Sequence, residues 1–136
     1  MGLPAPVNPY RIGEAAAMLG VSADTMRRWV DAGRVAADRD EHGHRIIPGA
    51  ELAAFARELA RSENEAEGRP SSARNRFPGI VTHVVLGDVA AQVEIQAGPF
   101  RVVSLISRES AEELGLVPGA AAIAVIKSTN VMVERA

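Results

Sequence analysis

The run Arg61-Ser62-Glu63-Asn64-Glu65-Ala66-Glu67-Gly68-Arg69-Pro70-Ser71 divides the chain into two parts of different composition. It is polar, charged and without apolar anchors, which is typical of a linker. The part before it is alanine-rich with helical spacing, and the part after it is rich in Val and Ile with Gly and Pro at short intervals. The sequence therefore predicts an α+β protein of two domains, residues 8–61 and 71–136, joined by a linker over 62–70.

The composition limits the class of protein. The chain has 136 residues, of which 47% are hydrophobic, and a formal charge of −2, so any DNA binding must use a local basic patch. Without cysteine it can form neither disulfides nor thiolate metal sites. No apolar run approaches the roughly 20 residues of a membrane span, and residues 1–7 do not resemble a signal peptide. We expect a cytoplasmic protein with no membrane partner.

The N-terminal domain is predicted to be mainly helical. Three segments carry apolar residues at helical spacing: 12–19, 23–32 and 48–59. Gly20 and Gly33 are expected to end the first two helices. Gly43, between two short extended segments, predicts a hairpin ahead of the third helix. Two short helices joined by Gly20-Val21-Ser22 have the layout of a helix-turn-helix.

The C-terminal domain is predicted to be a small barrel. Val- and Ile-rich segments bounded by turn residues predict five strands, near 79–86, 89–96, 100–106, 121–127 and 130–134. A short helix is expected over about 110–115, between the third and fourth strands. Five strands and one short helix are typical of an OB-like barrel.

The second predicted helix carries side chains that suit DNA. Arg27 and Arg28 can pair with guanine or with phosphate. Ser22 and Thr25 stand near the helix N-terminus, where hydroxyl groups and the helix dipole favour phosphate. An ordinary solvated polar face has the same spacing, so the pattern alone leaves both interpretations open.

Two runs in the C-terminal half suit a small oxyanion. Lys127 is the only lysine among 15 lysines and arginines, and it stands in Ile126-Lys127-Ser128-Thr129-Asn130. The other run is Ser71-Ser72-Ala73-Arg74-Asn75-Arg76. Each combines a cation with hydroxyl groups and has no neighbouring carboxylate, which is what a tetrahedral oxyanion requires. Ser107 and Ser110, at the start of the short helix, are either further ligands or helix caps.

The N-terminal half resembles the MerR and excisionase group of winged helix-turn-helix domains. The resemblance covers about residues 9–60 and rests on Tyr10-Arg11-Ile12-Gly13-Glu14-Ala15-Ala16, Leu19-Gly20-Val21-Ser22, Thr25-Met26-Arg27-Arg28-Trp29 and Gly33. It implies that the second helix enters the major groove of double-stranded DNA, and that the hairpin is a wing. The wing would carry four basic residues: Arg39, His42, His44 and Arg45. MerR regulators continue into a long dimerisation helix, which is missing here, so dimerisation must come from elsewhere.

The C-terminal half resembles a molybdate-binding Mop domain of the molbindin/TOBE family. Four segments carry the resemblance in order: Ser72-Ala73-Arg74-Asn75, Gly79-Ile80-Val81, Glu113-Leu114-Gly115-Leu116-Val117-Pro118-Gly119 and Ile126-Lys127-Ser128-Thr129-Asn130-Val131. It implies that molybdate or tungstate, with no organic cofactor, binds between subunits of a homo-oligomer, a dimer or a hexamer. The ligands that it implies are Ser72, Arg74, Ser107, Ser110, Lys127 and Ser128.

Together these features predict a molybdate-responsive DNA-binding transcription regulator. The alternative is a molybdate or tungstate storage or buffering oligomer whose helical domain serves assembly. The sequence offers no nucleophile–base pair, no Gly-rich phosphate loop and no paired carboxylates, so we expect no enzymatic activity. His42 and His44 form a possible metal pair, but no third ligand is near in sequence and the wing accounts for them, so no metal site is predicted.

Overall fold

The structure, a computed structural model, describes residues 8–64 and 71–136. The chain forms two compact units, which divide between Arg69 and Pro70. Of the predicted linker, residues 62–64 belong to a helix and residues 65–70 lie outside the described part of the chain. The exact domain limits therefore stay a prediction.

The first unit contains three helices and a three-stranded antiparallel sheet. The helices are α1 (Ile12–Leu19), α2 (Ala23–Asp31) and α3 (Gly49–Asn64). The strands are β1 (Tyr10–Arg11), β2 (Asp38–Arg39) and β3 (Arg45–Ile47), in the order β1-β3-β2. The predicted hairpin is confirmed as β2 and β3, whereas β1 is a strand that the sequence did not reveal, because its two residues carry no periodic pattern.

Glycines end the first two helices, as the sequence predicts. Gly20 has φ 71°, and the next residue, Val21, donates its N–H to the Ala16 carbonyl at 3.0 Å. Gly33 has φ 75°, and the following N–H likewise reaches back to Trp29, at 2.9 Å. This is the Schellman arrangement, which requires the left-handed backbone that glycine adopts without strain.

The core of the first unit fixes which face of α2 points outward. Met26 of α2 is fully buried with Ile47 of β3, and Phe55 of α3 packs against the edge of Trp29 with 5.1 Å between ring centroids. Because Met26 and Trp29 point into this core, the residues between and opposite them, Arg27 among them, face solvent.

The second unit is built around one antiparallel sheet. Its strands are β4 (Asn75–Leu86), β5 (Ala90–Ala97), β6 (Phe100–Ser107) and β7 (Ala121–Ile126), in the order β6-β5-β4-β7. The short helix α4 (Arg108–Glu113) follows β6. The long strand β4 pairs with β7 along its first half and with β5 along its second half, and it bulges between Val81 and His83. A bulge bends a strand and increases its twist, which curls the sheet.

The predicted fifth strand is wrong for the single chain. Ser128–Asn130 form a 3-10 turn, and no strand pairing is found over residues 131–136. Val131, Met132 and Val133 are instead 44%, 94% and 89% exposed. The apolar run favours a strand, but a strand must also pair with an edge, and the chain leaves β7 through the 3-10 turn without pairing. The α+β class and the OB-like character are confirmed, with four strands forming an incomplete barrel.

Gly79 marks the point where β4 passes closest to the β5 backbone. A Cβ atom there would lie 2.2 Å from the Gln96 carbonyl oxygen and 2.8 Å from the Gln96 carbonyl carbon. Backbone atoms cannot rotate aside, so Gly79→Ala should separate the strands and destabilise the unit by about 1–3 kcal/mol or more. Thermal unfolding followed by circular dichroism would measure this loss.

Gly13→Ala is the matched control for that substitution. The added methyl group would meet no atom within 4 Å, and the residue lies in α1. Alanine is preferred over glycine in a helix, so this change should be neutral or stabilising by up to about 1 kcal/mol. An unchanged unfolding temperature in Gly79→Ala would contradict the close approach of β4 to β5.

Candidate functional site

The start of α2 is fixed by two of the predicted DNA-binding residues. The Ser22 hydroxyl oxygen accepts a hydrogen bond from the Thr25 N–H at 3.1 Å, and the hydroxyl group donates to Thr25 Oγ1 at 2.9 Å. Arg28 reaches Thr25 Oγ1 through Nη2 at 3.4 Å. Ser22 therefore caps the helix and Thr25 lies in its first turn. Arg27 and Arg28 follow on the exposed surface of α2, with Arg28 in its last turn.

Arg27 forms an ion pair on this exposed face. Its Nη1 lies 2.5 Å from Asp24 Oδ1, and the two side chains are 56% and 83% exposed. A solvent-exposed pair of this kind contributes about 0–1 kcal/mol, so it holds Arg27 only weakly. Arg27 is free to exchange the carboxylate for a phosphate or a base edge.

The hairpin between β2 and β3 is closed by Asp40. Its Oδ1 accepts hydrogen bonds from the backbone N–H groups of His42 and His44, each at 2.9 Å, and these bonds hold the pKa of the Asp40 carboxyl below its usual value. Arg39 donates through Nη1 to the Gly43 carbonyl at 2.7 Å. Asp40 was not among the functional residues predicted from the sequence, although an Asp at the start of a turn is the signal for this arrangement.

Asp40 gives the hairpin a testable dependence on pH. Because its pKa is lowered in the folded state, its contribution is present above the unfolded-state pKa and is lost as the pH falls through the folded-state pKa. We expect the amide resonances of His42 and His44 to shift together in NMR spectra as the pH falls through the folded-state pKa of Asp40. Asp40→Asn should remove this common transition, whereas Asp38→Asn, in β2, should retain it.

Arg45 connects the hairpin to α2. Its Nη1 lies 2.6 Å from Asp31 Oδ1, at the last residue of α2. This ion pair links the hairpin to the end of α2, so Arg45 is a positioning residue. A second arginine that the sequence analysis did not single out, Arg34, lies 5.5 Å from the ring centroids of both Trp29 and Phe55. Such a contact is a cation–π interaction.

The two predicted oxyanion-binding runs meet at one end of the sheet. Asn75, at the start of β4, pairs with Ile126, at the end of β7, and its Nδ2 donates to the Ile126 carbonyl at 3.1 Å. Arg74 and Lys127 are the next residues beyond this pair on the two strands. The register therefore brings Arg74 and Lys127 to the same end of the sheet, and Ser72 and Ser128 lie close to them in sequence.

The electrostatic surroundings of this end suit an anion. Over residues 8–64 and 71–136, no carboxylate lies within ion-pair distance of Arg74 or Lys127. Arg74 donates through Nη1 to the Ser71 carbonyl at 3.1 Å, and both cations are exposed. Two uncompensated cations beside two exposed hydroxyl groups form a place where a dianion gains charge-assisted hydrogen bonds.

Ser107 and Ser110 lie elsewhere in the fold. Ser107 pairs with Ala90, beside the pair of Ala91 and Leu86 at the far end of β4 from Asn75. The Ser107 hydroxyl oxygen accepts from the Ser110 N–H at 3.0 Å and the hydroxyl donates to Ser110 Oγ at 2.8 Å, so it caps α4. A single chain does not bring the six predicted ligands together.

Neither a metal centre nor a membrane span is found in the part of the chain that the structure describes. No group of three His, Asp or Glu side chains among these residues could hold a metal ion. No described helix is long and apolar enough to cross a membrane.

Two family models match the chain, one for each unit. Residues 71–133 match the TOBE domain family, and residues 9–60 match a helix-turn-helix domain family. Molybdenum-pterin-binding protein 1 of Clostridium pasteurianum is 46% identical over 63 residues, which cover 46% of this chain and 93% of that protein. The molybdenum transport protein ModE of Azotobacter vinelandii is 33% identical over 87 residues, which cover 63% of this chain and 30% of that protein.

A solved structure matches the second unit. MopII from Clostridium pasteurianum is 43% identical, with a TM-score of 0.46, and the match covers 48% of this chain and 100% of that chain. The two family matches show a chain in which a helix-turn-helix domain precedes a TOBE domain. Through its TOBE domain the chain belongs to the family of the Mop proteins. Both of these relatives are named for molybdenum binding or molybdenum transport, and neither name describes an enzymatic reaction.

Proposed function

We propose that the protein is a cytoplasmic transcription regulator that binds DNA through α2 and responds to molybdate bound by its TOBE domain. One observation carries the proposal. A single chain joins a helix-turn-helix with an exposed arginine face to a TOBE domain in which Arg74 and Lys127 flank the paired residues Asn75 and Ile126. The relatives named for molybdenum binding and molybdenum transport support it.

Molybdate suits the end of the sheet where β4 begins and β7 ends. It is a tetrahedral dianion, and its four oxygens can accept hydrogen bonds from the Ser72 and Ser128 hydroxyls while Arg74 and Lys127 balance its charge. Tungstate has the same shape and charge, so we expect it to bind as well. Both should stabilise the fold, and the smaller sulfate ion should do so less.

The site is completed, in this proposal, by a second copy of the chain. Ser107 and Ser110 of one copy would join the four ligands at the end of the sheet in another. The unpaired segment over 131–134 and the two open edges of the sheet, β6 and β7, support assembly, because an exposed edge pairs readily with a strand from another chain. The expected product is a homo-oligomer, a dimer or a hexamer.

On the DNA side, α2 would lie in the major groove and the hairpin would contact the backbone. Ser22, Thr25 and Arg28 suit phosphate contacts, and Arg27 suits a base edge. Arg39 and His44 would reach phosphates from the wing, and Arg45 would hold the wing in place. Membership of the MerR and excisionase branch is part of this proposal.

Regulation would follow from the assembly. Half-sites on DNA are spaced by the helical repeat, so a change in oligomer geometry on anion binding would change how well two helix-turn-helix domains fit one operator. The first test is DNA binding by the full chain as a function of salt. Absence of any salt-sensitive binding would remove the regulator proposal.

The second candidate function is molybdate or tungstate storage. It is favoured by the same exposed apolar segment and sheet edges, which support a large assembly without any role for DNA. Molybdate stoichiometry measured together with mass in solution separates the two. Storage predicts a stable oligomer that binds the anion and shows no affinity for DNA.

A further inference from the structure

Asp24 stands on the face of α2 that DNA would meet. It precedes the buried Met26 by two residues, and each residue turns a helix by about 100°, so its carboxylate projects away from the core. Its side chain is 83% exposed and lies against Arg27, one turn further along the same face. N-terminal residues of a recognition helix are the ones that reach base edges.

A carboxylate is an unfavourable group on such a face, because the phosphates of DNA repel it. The other acid at this face, Asp31, is neutralised by Arg45 at 2.6 Å. Among residues 8–64 and 71–136, Arg27 is the one cation that forms an ion pair with Asp24. When Arg27 turns to DNA, Asp24 loses that partner, and where the interface excludes water a hydrogen-bond donor on the DNA is the favourable replacement.

The major groove offers such donors only at certain bases. They are the exocyclic amino groups of cytosine and adenine, and carboxylates pair with cytosine N4. Arg27 suits O6 and N7 of guanine. We propose that Asp24 is a specificity-determining residue that accepts a hydrogen bond from cytosine N4 beside a guanine contact made by Arg27. The role of Asp24 rests on the proposed DNA-binding function, and it specifies which base α2 would select.

The test is selection of bound duplexes from a randomised DNA library, followed by sequencing, with the full chain and its variants. The wild type should enrich cytosine at one position by about 10-fold or more, as one good base contact discriminates. Asp24→Ala should reduce this to about twofold or less. Asp24→Asn should move the preference towards adenine, because an amide pairs with adenine N6 and N7.

Two controls separate the possible failures. Glu51→Gln, at an exposed position of α3, changes the charge equally and should leave the cytosine preference intact. Circular dichroism establishes that each variant is folded. If the wild type selects sequences and Asp24→Ala retains the same preference, the role of Asp24 is refuted while DNA binding stands. If the folded wild type binds no DNA, the proposed function and this inference are both refuted.

Discussion

Replacing both Arg27 and Arg28 by alanine should reduce DNA affinity by about 100-fold or more while leaving molybdate binding unchanged. Two contacts to bases or phosphates each contribute about 1–3 kcal/mol, and their loss should also make the slope of log affinity against log salt shallower by about 1–2. Alanine is favourable in helices, so α2 itself should persist. Fluorescence anisotropy with a labelled duplex at several salt concentrations measures both quantities.

The control is a second double variant with the same change in net charge. Arg57 and Arg61 are exposed on α3, and replacing both by alanine removes two positive charges from the same unit without touching α2. We expect this control to weaken binding far less. Equal losses in the two double variants would show that net charge, and not the face of α2, governs DNA binding.

Replacing Lys127 by alanine should abolish most of the stabilisation that molybdate gives to the wild type. At a molybdate concentration 100-fold above the dissociation constant, a ligand stabilises the folded state by about 2.7 kcal/mol. A hydrogen bond to a charged group contributes about 1.5–3 kcal/mol, so the variant should bind about 10–100-fold more weakly. Thermal unfolding with and without molybdate measures the difference.

The unliganded stability should be little changed by that substitution, because Lys127 is exposed and makes no ion pair within the described residues. Arg101→Ala is the matched control: this arginine lies on β6 and is already paired with Glu94. It should lower stability slightly and retain the molybdate shift. A full molybdate shift in Lys127→Ala would refute the assignment of the anion to this end of the sheet.

The features predictable from the sequence are those set by nearby residues. Gly20 and Gly33 end helices because the left-handed backbone is a local requirement, and Ser22 caps α2 through a residue three positions away. The hairpin around Gly43 follows from the same kind of local signal. For this reason α1, α2 and the hairpin lie at the positions that the sequence predicts.

The features that could not be predicted depend on pairing between distant segments. The segment over 130–134 has a strand pattern but pairs with no edge within the described residues. The register of β4 against β7 and β5 places Ser107 far from Lys127, which no spacing in the sequence indicates. The ion pair of Arg45 with Asp31 likewise joins residues whose contact only the folded hairpin creates.

Molybdate bound by the TOBE domain should change DNA binding by the helix-turn-helix domain. This is measured as the affinity of the full chain, at fixed salt, for a duplex selected by the wild type, with and without molybdate. We expect a change of about 5-fold or more, the usual range of coupling between two sites, and no comparable change with sulfate. An unchanged DNA affinity at molybdate concentrations that stabilise the protein would contradict it.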